Sequence, residues 1–456
     1  MSTPATIVDT PGARADAAVA TVLSDLDRLA GGTTRGVVVD SPPGAGKSTL
    51  VVRAALHLVA RGEYVMVIAQ TNEQVDDLTE RLARNRPDLV VGRLLSTTRP
   101  LSPRLAALPG VVSAKTIPDL GPTPPPIIIA TAAKWPWVKE EHGHWSRAIV
   151  DEAYQMRSDA LLACAPLFDS ALFVGDPGQL DPFSTVETDR WTGLTWDPLR
   201  NAVDVTLAHN PAMAVRALPV SWRLPATAAP LVERAFYPFT PFDSGTGPDD
   251  RRMTLLRALA PDPIDQVLDR AAETGWGHLE LPFRQTLRTD RELARALADT
   301  ASRLVARGTT TFCDQAPPPE GRRLTPARIA IGVAHNDQAE AVRSALAPEL
   351  DGITVDTANR LQGREFDVTL VWHPLSGRAD ASAFHLETGR LCVLLSRHRH
   401  ACLVVARAGI PELLDRHPSH QPVHLDVPPK FPDGWRAHQI VMDHLQRPEH
   451  RVQILD

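Results

Sequence analysis

The residues of this chain best placed to do chemistry form a short loop that ends in lysine and serine. Ser41-Pro42-Pro43-Gly44-Ala45-Gly46-Lys47-Ser48-Thr49 follows an apolar run at 36–40 and opens a helical pattern at 48–60. In a strand–loop–helix setting, glycines let backbone N–H groups face phosphate oxygens without a Cβ in the way. Gly44, Ala45, Gly46 and Thr49 would cradle the phosphates, Lys47 would neutralise their charge, and the Ser48 hydroxyl would hold Mg²⁺. The strict pattern GxxxxGK[ST] has glycine at position 41, where this chain has Ser41. The bland alternative is a turn that happens to precede a lysine, and the flanking strand and helix weigh against it.

Phosphoryl chemistry also needs carboxylates, and the segment from Arg147 to Tyr154 supplies Asp151 and Glu152 after an apolar run. Asp151 would serve the metal and Glu152 would be the general base. An acidic pair there could equally begin a helix, where the dipole favours negative charge. Gln179, on a Gly/Pro-flanked turn after the run 171–175, could sense a γ-phosphate or orient the attacking water. Its bland alternative is a tight turn alone. Trp135, Trp137 and Trp145 could stack on bases, although packing a core is the commoner use of tryptophan.

These residues need elements to hold them. Strand-like runs at 36–40, 64–69, 127–130, 148–151 and 171–175 alternate with helical patterns at 48–60, 73–84 and 154–164. Such alternation predicts an α/β domain with a mostly parallel sheet. A second block repeats it, with helices at 290–307, 337–346 and 387–395 and strands at 328–333, 368–372 and 401–406. Two sheet domains in tandem imply a cleft between them. Residues 97–126 are rich in Pro, Ser and Thr and read as a surface insertion. The stretches 240–250 and 315–323 read as loops, and the residues from 417 onward as a polar tail with one helical pattern at 439–445.

At 456 residues the chain has room for two or three cores. Forty-eight basic residues against 54 acidic ones give a net charge of −6, so a nucleic-acid partner would need a local basic channel. Cys164, Cys313, Cys392 and Cys402 are scattered without metal-ligand spacing and read as free thiols in a reducing compartment. No run approaches the ~18 apolar residues of a membrane span. No secretory signal pattern is present at the N-terminus, so a cytoplasmic location and no membrane partner are expected.

The order of motifs resembles superfamily 1 helicases. SPPGAGKST, DEAY and GDPGQLDP look like motifs I, II and III, and the segment 68–78 with Thr71 and Asn72 is similar to motif Ia. Ile129-Ala-Thr-Ala132 resembles motif Ic, and Ser221-Trp-Arg-Leu-Pro225 resembles motif IV. The segment 357–366 resembles motif V, and 390–397 resembles motif VI. The pattern is most similar to the 5′-to-3′ branch, including the nonsense-mediated-decay helicases and related DNA helicases.

That resemblance spans about residues 35–407 and implies two tandem RecA-like domains, at 1–212 and 213–415, followed by a tail at 416–456. It implies an ATP- and Mg²⁺-dependent helicase or translocase on single-stranded DNA or RNA, expected to be monomeric. Arg223 and Arg397 would act as arginine fingers, Glu365 would contact the ribose, and Gly363 would let the backbone approach the nucleotide. Thr71, Asn72, Thr131 and Thr357 would hold nucleic-acid phosphates. Without the resemblance, the two arginines could be surface residues and Thr131 and Thr357 helix caps. Two departures stand out. Ala15 occupies the position expected for the adenine-reading glutamine, and Ser396-Arg397-His398 replaces the usual Thr-Arg-Ala. The rival reading is a nucleic-acid-binding NTPase switch that remodels a complex without processive unwinding.

Overall fold

The structure, a computed structural model, describes residues 10–29, 34–182, 189–194, 197–258, 261–286, 289–313, 320–416 and 433–454. Residues 315–319 of the expected loop and 417–432 of the expected tail lie outside the described residues. Two compact units emerge, one reaching Pro177 and including Asp181–Pro219, the other holding Gly178–Leu180 and the residues from Val220.

The first unit is built on eight parallel strands. They are β1 (Gly36–Asp40), β2 (Val65–Ala69), β3 (Val91–Leu94), β4 (Val111–Ala114), β5 (Ile127–Thr131), β6 (Trp145–Asp151), β7 (Phe168–Gly175) and β8 (Ala214–Ala217). Their order across the sheet is β4-β3-β5-β2-β6-β7-β1-β8. Both faces are covered, which is why the central strands read as unbroken apolar runs rather than alternating ones. Val37, Val39, Val65 and Val67 face helices α1 (Pro11–Arg28), α2 (Lys47–Ala60) and α3 (Asn72–Asn85). Val38, Met66 and Ile68 face the opposite core, with Trp135, Trp145 and helix α4 (Ser158–Cys164).

Three expectations are corrected here. Residues 97–126 are not an insertion, because they contribute β4, which pairs with β3 from Val91 to Leu94. Four-residue strands carry too little periodicity to be seen in sequence. The helical pattern at 154–164 splits into a 3₁₀ turn, Ala153–Gln155, and α4. β8 pairs with β1, so residues 214–217 belong to the first unit and not to the second.

The second unit has a six-stranded parallel sheet. Its strands are β9 (Trp276–Leu281), β10 (Ile329–Val333), β11 (Thr354–Thr357), β12 (Phe366–Trp372), β13 (His398–Arg407) and β14 (Arg451–Gln453), in the order β11-β10-β12-β13-β9-β14. One face packs on α6 (Pro263–Thr274), α7 (Arg291–Ala306) and α8 (Asn336–Ala345). The other packs on α5 (Ala229–Phe236), α9 (Thr388–Leu395), α10 (Ile410–Arg416) and α11 (Gly434–Leu445).

The end of the chain is therefore no separate tail. β14 pairs with β9, and buried Glu280 on β9 accepts from Arg451 (2.7 Å), Gln446 (2.8 Å) and Gln453 (2.6 Å). Each unit is thus a parallel sheet with helices on both faces, the RecA-like architecture. No helix among the described residues is long and apolar enough to cross a membrane. Cys164, Cys392 and Cys402 are buried and Cys313 is half-buried, and none of them is in a disulfide.

Candidate functional site

The loop after β1 has the conformation a phosphate cradle needs. Gly44 and Gly46 sit at φ 75° and 92°, in the left-handed region that favours glycine. Gly46 caps α2, so the helix N-terminus, with its orphan N–H groups, opens directly at Lys47 and Ser48. Ser41 donates its N–H to the Gly175 carbonyl at 2.8 Å, tying the loop to β7. Its own φ is not in the positive region, so the position does not require glycine. That accounts for the departure from the strict pattern. Lys47 and Ser48 are half-buried and Thr49 is exposed.

Three carboxylates gather around the lysine. Lys47 Nζ lies 3.1 Å from Glu152 Oε1 and 3.9 Å from Asp176 Oδ2. Burial works against its charge, but Glu152, Asp176 and Asp151 outweigh that and raise the ammonium above its usual range. Asp151, at the end of β6, is buried, and its Oδ1 has no hydrogen-bond partner. Burial first, and the Glu152 charge second, push its carboxyl up to about 7.

Glu152 is the one non-glycine residue at positive φ among those described, at 53°. Such backbone costs about 1–3 kcal/mol and persists where the surroundings impose it. Gln155 Nε2 donates to Glu152 Oε2 at 3.0 Å, so both carboxylate oxygens are held in place.

Among the described residues no group of three or more His, Cys, Asp or Glu side chains is arranged to hold a metal ion, so a Mg²⁺ here would rest on Ser48, Asp151 and the nucleotide's own oxygens. Three carboxylates face one ammonium, an excess of two negative charges if all ionise, and Asp151 keeps an unpartnered buried oxygen. Ser48, from the first turn of α2, supplies the hard hydroxyl oxygen such an ion prefers.

Three supporting residues lie within the motifs without a signal of their own in the sequence. Asp176 reaches Lys47 from the end of β7. Tyr154 donates its hydroxyl to Asp40 Oδ1 at 2.6 Å, bracing the strand that feeds the loop. Gln70 donates to the Asp151 carbonyl at 3.4 Å. The nearest to one is the strand-end position of Asp176.

Polar side chains line the ends of the neighbouring strands. Thr71 caps α3 in a capping box, its Oγ1 accepting from Gln74 N at 3.2 Å. That leaves the Thr71 hydroxyl proton for a ligand. Asn72 accepts from Arg93 at 2.8 Å through Oδ1, which turns its NH₂ into the available group. Thr131 ends β5, opposite Ala69 of β2, and is half-buried. Trp135 and Trp145 are buried core residues, and only Trp137 is exposed.

In the second unit, Arg223 Nε donates to Glu365 at 3.1 Å, and Arg399 donates to the other Glu365 oxygen at 2.9 Å. Burial pushes the Glu365 carboxyl up, but Arg223 and Arg399 outweigh it and hold it below its usual range. Gly363 is exposed at φ 79°, with no atom within 4 Å of where a Cβ would stand. Arg397 is not a surface arginine: it is 1% exposed and donates to Ser396 Oγ at 2.8 Å. Thr357 is buried at the N-cap of the turn 358–361 without a side-chain cap bond. Gln179 is buried within Gly178–Leu180, the segment that groups with this unit, and a Cβ on Gly389 would meet its carbonyl at 2.5 Å.

Residues 24–191 match a family model described as an AAA domain. No curated protein matches the chain. Solved structures similar to it include the PRRSV helicase, at 14% identity and TM-score 0.42, over 86% of this chain and 54% of that one. A second is arterivirus nonstructural protein 10, a helicase, in complex with DNA, at 14% identity and TM-score 0.41, over 86% and 63%. A third is the DUF1998 helicase MrfA bound to DNA and AMPPNP, at 10% identity and TM-score 0.41, over 92% and 53%. The chain spans between about half and two thirds of the length of these proteins.

Proposed function

We propose that this chain is an ATP-driven motor of superfamily 1 that moves 5′ to 3′ along single-stranded DNA or RNA. The observation that carries the reading is Lys47, at the mouth of a left-handed glycine loop, held against Glu152 and Asp176 beside the unpartnered Asp151 oxygen. An ammonium so placed exchanges one anion for another when a nucleotide arrives. Lys47 then moves from Glu152 to the β/γ-phosphates, and Glu152 Oε1 becomes free to take a proton from the attacking water. Mg²⁺, held by Ser48 and Asp151, would supply charge neutralisation at the phosphate oxygens.

Gln179, Arg223 and Arg397 are proposed to add hydrogen-bonding and positive charge at the γ-phosphate, and Glu365 with Gly363 to meet the nucleoside. Thr71, Asn72, Thr131 and Thr357 are proposed to hold the strand by its phosphates, contacts that carry no sequence information. The motor is proposed to act as a cytoplasmic monomer.

ATP hydrolysis by the purified chain, with and without single-stranded DNA or RNA, tests the reading. Turnover should rise with one polymer and vanish in Lys47→Ala and Glu152→Gln. Turnover indifferent to both polymers would refute a translocase. A forked duplex then separates a helicase from a remodelling switch, since only the former releases the displaced strand.

A further inference from the structure

Among the described residues Trp137 is the most exposed large apolar side chain, at 80%, yet its backbone is pinned. Two residues earlier Trp135 is fully buried, donates Nε1–H to the Val67 carbonyl at 3.0 Å and meets Trp145 edge to face at 5.2 Å. Pro136 fixes the φ between the two rings. The 3₁₀ turn Trp135–Trp137 closes with Trp137 N–H on the Lys134 carbonyl at 3.1 Å, and Lys134 N–H bonds the Thr131 carbonyl at 2.9 Å. A large ring held out on so fixed a turn loses little entropy when something stacks on it.

The same turn sets what lies beside the ring. In a 3₁₀ helix side chains at i and i+3 eclipse, so Lys134 and Trp137 share a face, separated by a rise of about 6 Å. The chain has only five lysines, and Lys134 makes no ion pair among the described residues. Lys139 is engaged by Glu141 at 3.5 Å. Glu140 and Glu141 are exposed just beyond it and would repel phosphate, which leaves Lys134, three residues after Thr131, as the lysine of this segment without an ion pair among the described residues.

We propose that Trp137 is a stacking platform for an unpaired base, with Lys134 on a neighbouring phosphate, extending the strand contact that begins at Thr131. This rests on the motor reading above. It adds a contact made through the base, where the strand-end threonines offer only contacts to phosphate. Base–aromatic stacking is sequence-tolerant because every base has a π-face.

The test is anisotropy with a labelled oligodeoxythymidine and an abasic strand of the same length, using the full chain. Trp137→Ala should weaken binding to oligodeoxythymidine about tenfold, with Trp137→Phe losing much less. On the abasic strand Trp137→Ala should bind like wild type. Lys134→Gln should lower the slope of log affinity against log salt by about 0.7, and Trp137→Ala should leave it unchanged. Equal losses on both strands, or none on oligodeoxythymidine, would overturn the proposal and leave the ring to a protein partner. A wild-type chain that binds neither these strands nor oligouridine would overturn the motor reading with it.

Discussion

Acid should unfold the second unit at a pH where most domains are stable. His278, His398 and His438 are fully buried there, and neither ring nitrogen of His398 has a hydrogen-bond partner. Burial, with smaller repulsion from nearby cationic groups, holds their imidazoles down at about 4, 3 and 3, from an ordinary 6.5. His373, also buried, shifts the same way. The unfolded chain takes protons below pH 6.5 that the folded unit refuses. The stability is therefore complete above pH 6.5 and is lost as pH falls toward the folded values of 3–4. Each pH unit below 6.5 costs about 1.4 kcal/mol per group, so these three cost about 4 kcal/mol near pH 5.5.

A domain has about 5–15 kcal/mol in total, so that loss should be visible. Trp276 lies edge to face with His398 at 5.1 Å, and the difference in fluorescence between wild type and Trp276→Phe isolates its signal from that of the other eight tryptophans. Urea unfolding at neutral pH and near pH 5.5 should show this unit's midpoint falling sharply. The first unit has no buried histidine among its described residues and should respond less. His398→Phe should remove about one third of the effect of these three groups. A midpoint that does not move between the two pH values would refute the reasoning.

Three further outcomes are expected. Gly175→Ala would set a Cβ 2.8 Å from the Tyr154 ring and 3.0 Å from its backbone nitrogen. A loss of about 1–3 kcal/mol in thermal unfolding should accompany weaker nucleotide binding, since Tyr154 braces Asp40. Arg93→Leu strips buried Asp76 of its 3.0 Å partner, leaving Arg99 at 3.7 Å, and should cost about 3 kcal/mol in chemical denaturation. Glu280→Ala orphans Arg451, Gln446 and Gln453. Limited proteolysis should then cut near residue 450 faster than in wild type.

The strands that carry the phosphate loop and Asp151 were legible because burial on both faces leaves an unbroken apolar signature. β9 escaped for the opposite reason: Trp276-Gly-His-Leu-Glu-Leu281 reads as half polar, yet every residue is buried. His278 is neutral there, and Glu280 is satisfied by residues about 170 positions away. No local pattern can announce such partners. The chemistry around Lys47 divides along the same line. Lys47, Asp151 and Glu152 stand in a recognisable order, whereas Asp176 and Tyr154 act through contacts that only the assembled sheet creates. Arg397 was legible as a residue and not as a buried one, because an isolated arginine is by default exposed.

The left-handed backbone at Glu152 sets local strain against turnover at a single codon. Glycine there has no Cβ to strain, so Glu152→Gly relieves on the order of 1–2 kcal/mol of backbone strain, but it deletes the proposed base and strips Lys47 of its 3.1 Å partner and Gln155 of its 3.0 Å acceptor. It also removes the like charge that helps push up the Asp151 carboxyl. Selection for hydrolysis should therefore keep the strained glutamate at 152 although the backbone there favours glycine.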